Sequence, residues 1–186
     1  GIKSMLRACD LQMDDLTALA VSVGPGSYTG LRIGVALAKG MAAVHQLPLI
    51  GVTTLDTLAA GQPFSSTRTT LMAVVQAGRG RVIASQYRVK RGRWQATTEP
   101  ELMNWPAVFA AAEGPVYLTG EVNADGRAAL QAAQENDSDL SITLMAGTYR
   151  LRRAGFLAEE AWRQFRDGKP EDFRPGRVQP LYVKSD

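Results

Sequence analysis

A glycine- and proline-rich stretch at residues 24–34, "GPGSYTGLRIG", separates two segments of different periodicity. Before it, apolar residues alternate with small ones over Leu19–Val23, which predicts a strand that ends in a tight turn. After it, residues 29–45 run without proline, and Ser27 and Thr29 are available as the N-cap of a helix. The next segment, "LPLIGV", is almost entirely apolar, as in strands covered on both faces. Strand, helix and strand in this order predict a right-handed crossover and a parallel pair.

The flanking segments extend this α/β pattern. Residues 5–11 are predicted to be the end of a helix, followed by a capped turn at Asp14-Asp15. "TTLDTLAA" is predicted to be a helix capped by Thr53 or Thr54. The "GQPFSST" that follows has the composition of a linker, so we expect a domain boundary within residues 61–67.

Beyond residue 67 the pattern predicts hairpins first and then alternating elements. "TTLMAVVQA" and "RVIASQYRV" flank Gly78-Arg79-Gly80, and "KRGRW" makes a second turn, which predicts an antiparallel meander. "MNWPAVFAAA" predicts a short helix, which is followed by a strand at "PVYLTG", a helix at "NADGRAALQAAQEN" and a strand at "SITLM". A last helix over residues 154–169 ends at Gly168 and carries apolar residues at helical spacing, namely Phe156, Leu157, Ala161, Trp162 and Phe165.

The composition excludes several classes of protein. With 45% hydrophobic and 21% charged residues, the 186-residue chain has apolar side chains for one sizeable core or two small ones. The longest apolar run, residues 33–44, contains Lys39 and is too short to cross a bilayer. One cysteine excludes an internal disulfide, and no secretory pattern opens the sequence, so we expect a cytoplasmic protein with no membrane partner. A net charge of +3 permits RNA nearby without requiring it.

The glycine-rich loop fits none of the common catalytic motifs. A Walker loop needs Lys after its last glycine, but Leu31 follows Gly30. A dinucleotide fingerprint needs glycine where Thr29 stands, and no acidic residue ends the next strand to hold a ribose, although the strand-to-helix placement suits a pyrophosphate. A nucleophile elbow needs glycine where Pro25 and Thr29 stand, and the single histidine, His45, lies at the far end of the helix.

The remaining titratable residues predict no active site. One histidine leaves no paired-histidine metal site, and the acidic pairs Asp14-Asp15 and Glu159-Glu160 are typical of helix ends and solvated faces. We therefore expect no catalytic residue, no metal and no cofactor.

The helix after the loop carries two unusual faces. Gly30, Gly34, Ala38 and Ala42 are spaced four apart, which gives a stripe almost without side chains. A separate apolar face is formed by Ile33, Leu37, Met41 and Val44, so the helix is predicted to be buried on more than one side. Either the domain itself covers both faces, or one face docks a second subunit.

Residues 16–61 carry a family resemblance. The order of a strand, the loop "GPGSYTGLRIG", a helix containing "AKGMA" and the segment "LPLIGVTTL" is similar to the TsaB family, formerly called YeaZ, nearly throughout Leu19–Leu58. Weaker agreement continues to the closing "VQPLYVKSD". Members of this bacterial family assist the synthesis of tRNA threonylcarbamoyladenosine (t6A).

The resemblance implies an α/β, actin-like (ASKHA, ribonuclease H-like) fold of two lobes. The corresponding division is an incomplete first lobe at residues 1–66, a second lobe with antiparallel hairpins at 67–150, and a C-terminal helix and tail at 151–186. The family normally opens with a hairpin and further strands, which this sequence lacks, so strands beside Leu19–Val23 are expected to be absent and an edge exposed.

The resemblance also implies a non-catalytic scaffold subunit that binds and activates the paralogous catalytic subunit TsaD. The ATPase TsaE joins such complexes, tRNA is handled by the complex, and a homodimer forms when TsaD is absent. Two rival functions remain, a free-standing nucleotide-binding enzyme that uses the loop and Lys39, and a peptidase. The partner-binding residues implied are the loop and the helix behind it, namely Gly24, Pro25, Gly26, Ser27, Tyr28, Thr29, Gly30, Arg32, Gly34, Ala38 and Ala42.

One departure from the family pattern makes the next hairpin basic. In "VVQAGRGRVI", residues Gln76, Gly78, Arg81 and Ile83 replace the usual Asp, Arg, Glu and Tyr. Six cations then fall within fifteen residues, which is typical of a solvated sheet face or of a weak contact with tRNA phosphates. For such an RNA contact the candidates are Arg79, Arg81 and Arg91.

Overall fold

Two separate sheets organise the chain in the computed structural model, which describes residues 1–63 and 68–183. The first sheet is the pair β1 (Leu19–Gly24) and β2 (Leu49–Thr53). The second sheet consists of β3 (Thr70–Gly78), β4 (Arg81–Lys90), β5 (Arg93–Ala96), β6 (Glu101–Asn104), β7 (Val116–Gly120) and β8 (Ile142–Leu144). The helices are α1 (Ile2–Ala8), α2 (Tyr28–Val44), α3 (Thr54–Ala60), α4 (Trp105–Ala110), α5 (Ala124–Asn136) and α6 (Ala154–Asp167).

The first sheet confirms the predicted strand, helix and parallel strand. β1 and β2 pair in parallel with Leu19 opposite Leu49, and α2 connects them. Both predicted N-caps are present, since Ser27 Oγ accepts a hydrogen bond from the Gly30 amide and Thr53 Oγ1 accepts one from Asp56. Among the residues described, β1 has no strand on its other edge.

Both faces of the first sheet are packed by elements from distant parts of the sequence. On the α2 side, Val35 and Ala42 form a core cluster with Leu49 and with Val178 from the C-terminal segment. On the other side, β2 packs against Ala161 of α6 and against Phe173. Residues of α6 and of the C-terminal segment therefore help to cover the two faces of the first sheet.

The second sheet has the order β5-β4-β3-β7-β8, and β6 pairs with β4 beside β5. The hairpins β3-β4 and β4-β5 are antiparallel, which confirms the predicted meander. β7 pairs in parallel with both β3 and β8. One face packs on α4 and α5 through a cluster that includes Val82, Trp105 and Leu118, and the other packs on α3 through Leu55, Leu58 and Tyr87.

The predicted helix at "MNWPAVFAAA" begins later than expected. Residues 101–104 form β6, which pairs with Arg81–Ala84, and the helix starts only at Trp105. Asn104 caps it by accepting a hydrogen bond from the Ala107 amide at 2.9 Å, and Pro106 sits in the first turn, where its missing N–H costs nothing. The helix α1 ends at Ala8, three residues before the predicted end.

The predicted boundary between residues 66 and 67 lies outside the residues described.

The last helix, α6, packs against α3 and against both strands of the first sheet. Of its predicted apolar residues, Ala161 is buried, whereas Trp162 is 53% exposed. In the part of the chain described, no helix has the length and apolarity needed to cross a membrane.

Candidate functional site

The glycine-rich loop lines a groove of about 300 Å³ at the C-terminal ends of β1 and β2. The turn itself requires a glycine at position 24, where φ is +107° and an added Cβ would lie 2.8 Å from Leu31 Cδ1. At the same place the Leu181 amide donates a hydrogen bond to the Val23 carbonyl at 2.7 Å. The groove is lined by Ser22, Pro25, Gly26, Ser27, Gly30, Leu31, Thr54, Thr57, Arg152, Arg153, Ala154 and Leu157.

The groove holds hydroxyl groups and guanidinium groups but no catalytic arrangement. Ser22 Oγ and Thr54 Oγ1 share a hydrogen bond at 3.1 Å, and the Thr57 hydroxyl donates to the Thr53 carbonyl. His45, the base that a serine nucleophile would need, lies at the opposite end of α2, where its Nδ1 is 3.7 Å from Asp14. Within the described residues, no three His, Cys, Asp or Glu side chains are grouped so as to hold a metal. Arg152 and Arg153 are the cationic groups in this groove, and Arg152 is paired with Glu121.

The small-residue stripe on α2 does not remain on one face of the molecule. Ala42 is 1% exposed and belongs to the core of the first sheet, and Ala38 packs against that core. Gly30 is exposed, and a Cβ at Gly34 would meet nothing within 4 Å. Residues four apart advance by about 40° around a helix of 3.6 residues per turn, so the stripe runs from the surface into the core. Only its first half is available to a partner.

The larger apolar face of α2 is exposed to solvent in the single chain, so the alternative in which the domain itself covers both faces of this helix is wrong. Ile33 is 63% exposed, Leu37 57% and Val44 79%, and Met41 beside them is half-buried. A single sheet covers only one side of α2. We call the four residues Ile33, Leu37, Met41 and Val44 the apolar stripe.

Exposed aromatic residues lie at the N-terminal end of α2, on a different face from the apolar stripe. Tyr28 is 57% exposed, and its ring centroid lies 5.3 Å from that of Tyr182. Arg32 donates a hydrogen bond to the Tyr28 hydroxyl at 2.6 Å, and its guanidinium group lies over the same ring. The short helix α1 has no buried residue, and its Met5 side chain is largely exposed.

Tyr87 and Asp56 form a buried polar contact between the second sheet and α3. The Tyr87 hydroxyl donates to Asp56 Oδ1 at 2.9 Å, and Thr53 donates to the other carboxylate oxygen at 2.6 Å. Burial, and then the negative charge of Asp56, hold the pKa of the Tyr87 hydroxyl well above its usual value. The phenol therefore stays protonated and acts as a structural donor.

The three arginines proposed for RNA do not lie together. Arg79 lies in the turn before β4 and Arg81 is the first residue of that strand, whereas Arg91 follows its end, ten residues after Arg81. At the rise of a strand that separation is about 30 Å. Near the Arg91 end, Arg88 lies 3.9 Å from Glu113 and Arg93 lies 3.7 Å from Asp167, so much of the positive charge there is paired.

Sequence reasoning missed a second group of arginines. Arg150, Arg152 and Arg153 lie in the segment before α6, and two of them line the groove. Arg152 forms an ion pair with Glu121 at 2.6 Å. The sequence shows three arginines in the four residues "RLRR". The neighbouring residues give no indication that this segment contacts the glycine-rich loop.

Comparison with known structures defines the class of protein. Two structures from Pseudomonas aeruginosa superpose over 98% of this chain and 81% of theirs. One, described as an uncharacterized protein with similarity to peptidase YeaZ, gives a TM-score of 0.79 at 19% identity, and the other, YeaZ, gives 0.76 at 18%. The fold is the actin-like, ASKHA type. A family model described as TsaD, tRNA N6-adenosine threonylcarbamoyltransferase, matches residues 1–139.

The sequence comparisons identify the family within this class. The chain is 30% identical to the tRNA threonylcarbamoyladenosine biosynthesis protein TsaB of Escherichia coli over 190 residues, covering 99% of this chain and 78% of the relative. It is 35% identical to TsaB of Bacillus subtilis over 124 residues, covering 64% of this chain and 53% of the relative. The chain belongs to the TsaB/YeaZ family.

Proposed function

We propose that this chain is a non-catalytic accessory subunit in t6A modification of tRNA, and that it binds and activates a TsaD catalytic subunit. The names of its relatives from E. coli and B. subtilis support a part in t6A biosynthesis. The absence of a nucleophile-base pair or a metal-binding cluster among the described residues is compatible with a scaffold role.

The observation that carries the proposal is the exposed apolar stripe of α2. Three of its side chains, Ile33, Leu37 and Val44, are each more than half exposed on one helix. Burying such side chains against a partner contributes about 25 cal/mol per Å² of apolar surface removed from water. A helix whose exposed face is apolar in this pattern is typical of a surface that packs against another helix.

A TsaD protein is the partner that suits this surface. TsaD of Listeria monocytogenes is 47% identical to this chain over 51 residues, which covers 27% of the chain and 15% of the relative. Two proteins with related lobes can pack helix against helix in a nearly symmetric way, as the two halves of a homodimer do. Beside the apolar stripe, Gly30 and Gly34 leave room for a partner helix to approach closely.

A second copy of this chain, TsaE and tRNA are the other partners that we propose for an accessory subunit with this exposed stripe. In the absence of TsaD, we propose that a second copy of this chain covers the apolar stripe. TsaE would join the complex of the two subunits, and tRNA would be bound by that complex in the cytoplasm. Because Ala38 and Ala42 contribute to the chain's own core, they are not included in the proposed interface.

Charge substitutions on two sides of α2 test the docking surface. We expect Ile33→Glu and Leu37→Glu to weaken the heterodimer with the TsaD protein of the same organism by roughly 100-fold or more, because a buried unpaired charge costs several kcal/mol. Ala36→Glu and Ala43→Glu add the same charge on exposed positions of the same helix outside the stripe, and should change affinity by less than about threefold. Affinity is measured by calorimetry, and light scattering gives the mass of each complex.

Three results would contradict this proposal. If both stripe variants bind TsaD as tightly as the wild type, the docking surface lies elsewhere. If Leu37→Glu converts a homodimer to a monomer but leaves TsaD binding intact, the stripe serves self-association alone. Turnover of ATP or of a peptide by the isolated chain would contradict the non-catalytic role itself.

A further inference from the structure

We propose that an arc of arginines at the C-terminal edge of the two sheets binds the phosphates of RNA, a proposal that rests on the function in tRNA modification proposed above. Three segments supply the arc: the turn between β3 and β4 with the first residue of β4, the connection from β7 together with the first turn of α5, and residues 150–153 before α6. The arginine arc consists of Arg79, Arg81, Arg127, Arg150, Arg152 and Arg153.

Glu121 joins the three segments at one place. Its carboxylate accepts a hydrogen bond from the Gln76 amide at 2.9 Å and forms the 2.6 Å ion pair with Arg152. The Gln76 side chain in turn donates to the Glu121 carbonyl at 2.8 Å. Gln76 is near the end of β3, and Arg79 follows it by three residues, a reach of about 10 Å at most. The turn arginines and Arg152 therefore border the same edge.

Two further guanidinium groups are held at a single carbonyl. Arg127 Nη1 and Arg150 Nη1 both donate to the Val122 carbonyl, at 2.9 Å and 3.5 Å. The Nε atom of Arg150 is buried without a hydrogen-bond partner among the described residues. Like charges held this close repel each other. An anionic ligand beside them would relieve that repulsion.

The local charge is strongly positive. On the three segments, six arginines face only two carboxylates, Glu121 and Asp125, which leaves an excess of four positive charges. The whole chain has a net charge of +3, so the remainder of the molecule is close to neutral. In the described residues, Arg79, Arg81 and Arg153 have no ion pair, so they are available for phosphates.

The spread of these charges favours an extended polyanion over a small anion. A single phosphate would reach only the arginines next to it, for instance Arg152 and Arg153 in the groove. An RNA backbone carries one charge per nucleotide and meets separated guanidinium groups in succession. The opposite end of β4 also carries cations, but two of them, Arg88 and Arg93, lie beside carboxylates.

Matched triple variants test the arc in the heterodimer with TsaD. Arg79→Gln, Arg81→Gln and Arg153→Gln together should weaken binding of an unmodified tRNA transcript by about tenfold or more, and reduce the salt slope of log K by about 2. The control combines Arg88→Gln, Lys90→Gln and Arg91→Gln, which removes the same charge from exposed positions roughly 20–30 Å from Arg81 along β4. We expect it to change affinity by less than about twofold. Fluorescence anisotropy from about 50 to 200 mM salt measures both quantities.

Each other outcome overturns the arc or separates it from the proposed function. Equal effects of the two triple variants would mean that only total charge matters, and unchanged tRNA binding would mean that the arc does not contact RNA. If the arc variant keeps its thermal unfolding transition but no longer forms the heterodimer, the arc is a protein contact instead. If the wild-type chain binds no TsaD, the proposed function fails, and the same titrations of the isolated chain still decide whether the arc binds RNA.

Discussion

Both sheets are packed on both faces, but the helix α2 over the first sheet leaves a broad apolar face exposed. The second sheet is packed on both faces, and central residues such as Val82 and Leu118 are 0–1% exposed. The helix over the first sheet buries Val35 but leaves Leu37, two residues on, 57% exposed. The apolar surface of the second sheet is therefore covered within the chain, whereas α2 on the first sheet presents an apolar face that another surface can cover.

The largest expected effect compares the two cores directly. Leu118→Ala should lower the free energy of unfolding by about 3 kcal/mol, because it leaves a cavity in a fully enclosed core. Val35→Ala removes less from the smaller cluster on the first sheet and should cost about 1–2 kcal/mol. Urea denaturation of both variants measures the two values. An equal or larger cost at Val35 would contradict the difference between the two cores.

A second prediction tests the polar contact that joins the second sheet to α3. Tyr87→Phe removes the hydrogen bond to Asp56 and should cost about 2 kcal/mol near neutral pH. The raised pKa of Tyr87 also makes stability depend on pH. In the unfolded chain Tyr87 ionises near pH 10, while the folded state keeps the proton. The contribution of Tyr87 to the free energy of unfolding is therefore complete below about pH 10 and is lost progressively above it.

The variant and the wild type should therefore converge at high pH. Above about pH 10 the wild type loses up to about 1.4 kcal/mol per pH unit through Tyr87, and Tyr87→Phe does not. Urea denaturation at about pH 8 and pH 11 gives the difference at each value. A difference that stays constant between them would show that Tyr87 ionises as readily in the folded state as in the unfolded chain.

The smallest expected effect compares the N-caps of α2 and α5. Asn123 Oδ1 accepts from the Gly126 amide at 2.9 Å, whereas Ser27 Oγ accepts from the Gly30 amide at 3.4 Å. Asn123→Ala should cost about 1 kcal/mol and Ser27→Ala about 0.5 kcal/mol, because the longer hydrogen bond is weaker. Thermal melts resolve this difference. The reverse order would mean that Ser27 stabilises the loop by other contacts.

Local signals predicted the first sheet well. Periodicity, caps and the glycine-proline turn gave β1, α2 and β2 within one residue at most ends, since each depends on neighbouring residues. The family resemblance then supplied the actin-like fold. By contrast, the sequence does not predict the short strand β6. Asn104 and Pro106 mark the start of a helix, and the predicted helix already includes Met103, which lies in β6.

Tertiary arrangement explains what the sequence did not predict. The buried face of α2 is determined by contacts with Leu49 and with Val178, which lies 134 residues after the end of that helix. Periodicity alone therefore does not predict which face of α2 is buried. The parallel pairing of β3 with β7 is likewise a choice among distant partners. The arginines of residues 150–153 become part of the candidate site only through contacts with Glu121 and the glycine-rich loop.

The hydrogen bond from Leu181 to Val23 has a consequence for the order of folding during synthesis. The first sheet lacks both this bond and the side chain of Val178 until residues up to Leu181 have left the ribosome. The second sheet is complete in sequence by residue 144, so we expect it to fold first. The surface proposed to bind TsaD would then take its final shape last, which keeps an unassembled subunit from presenting a finished docking site before its own core is closed.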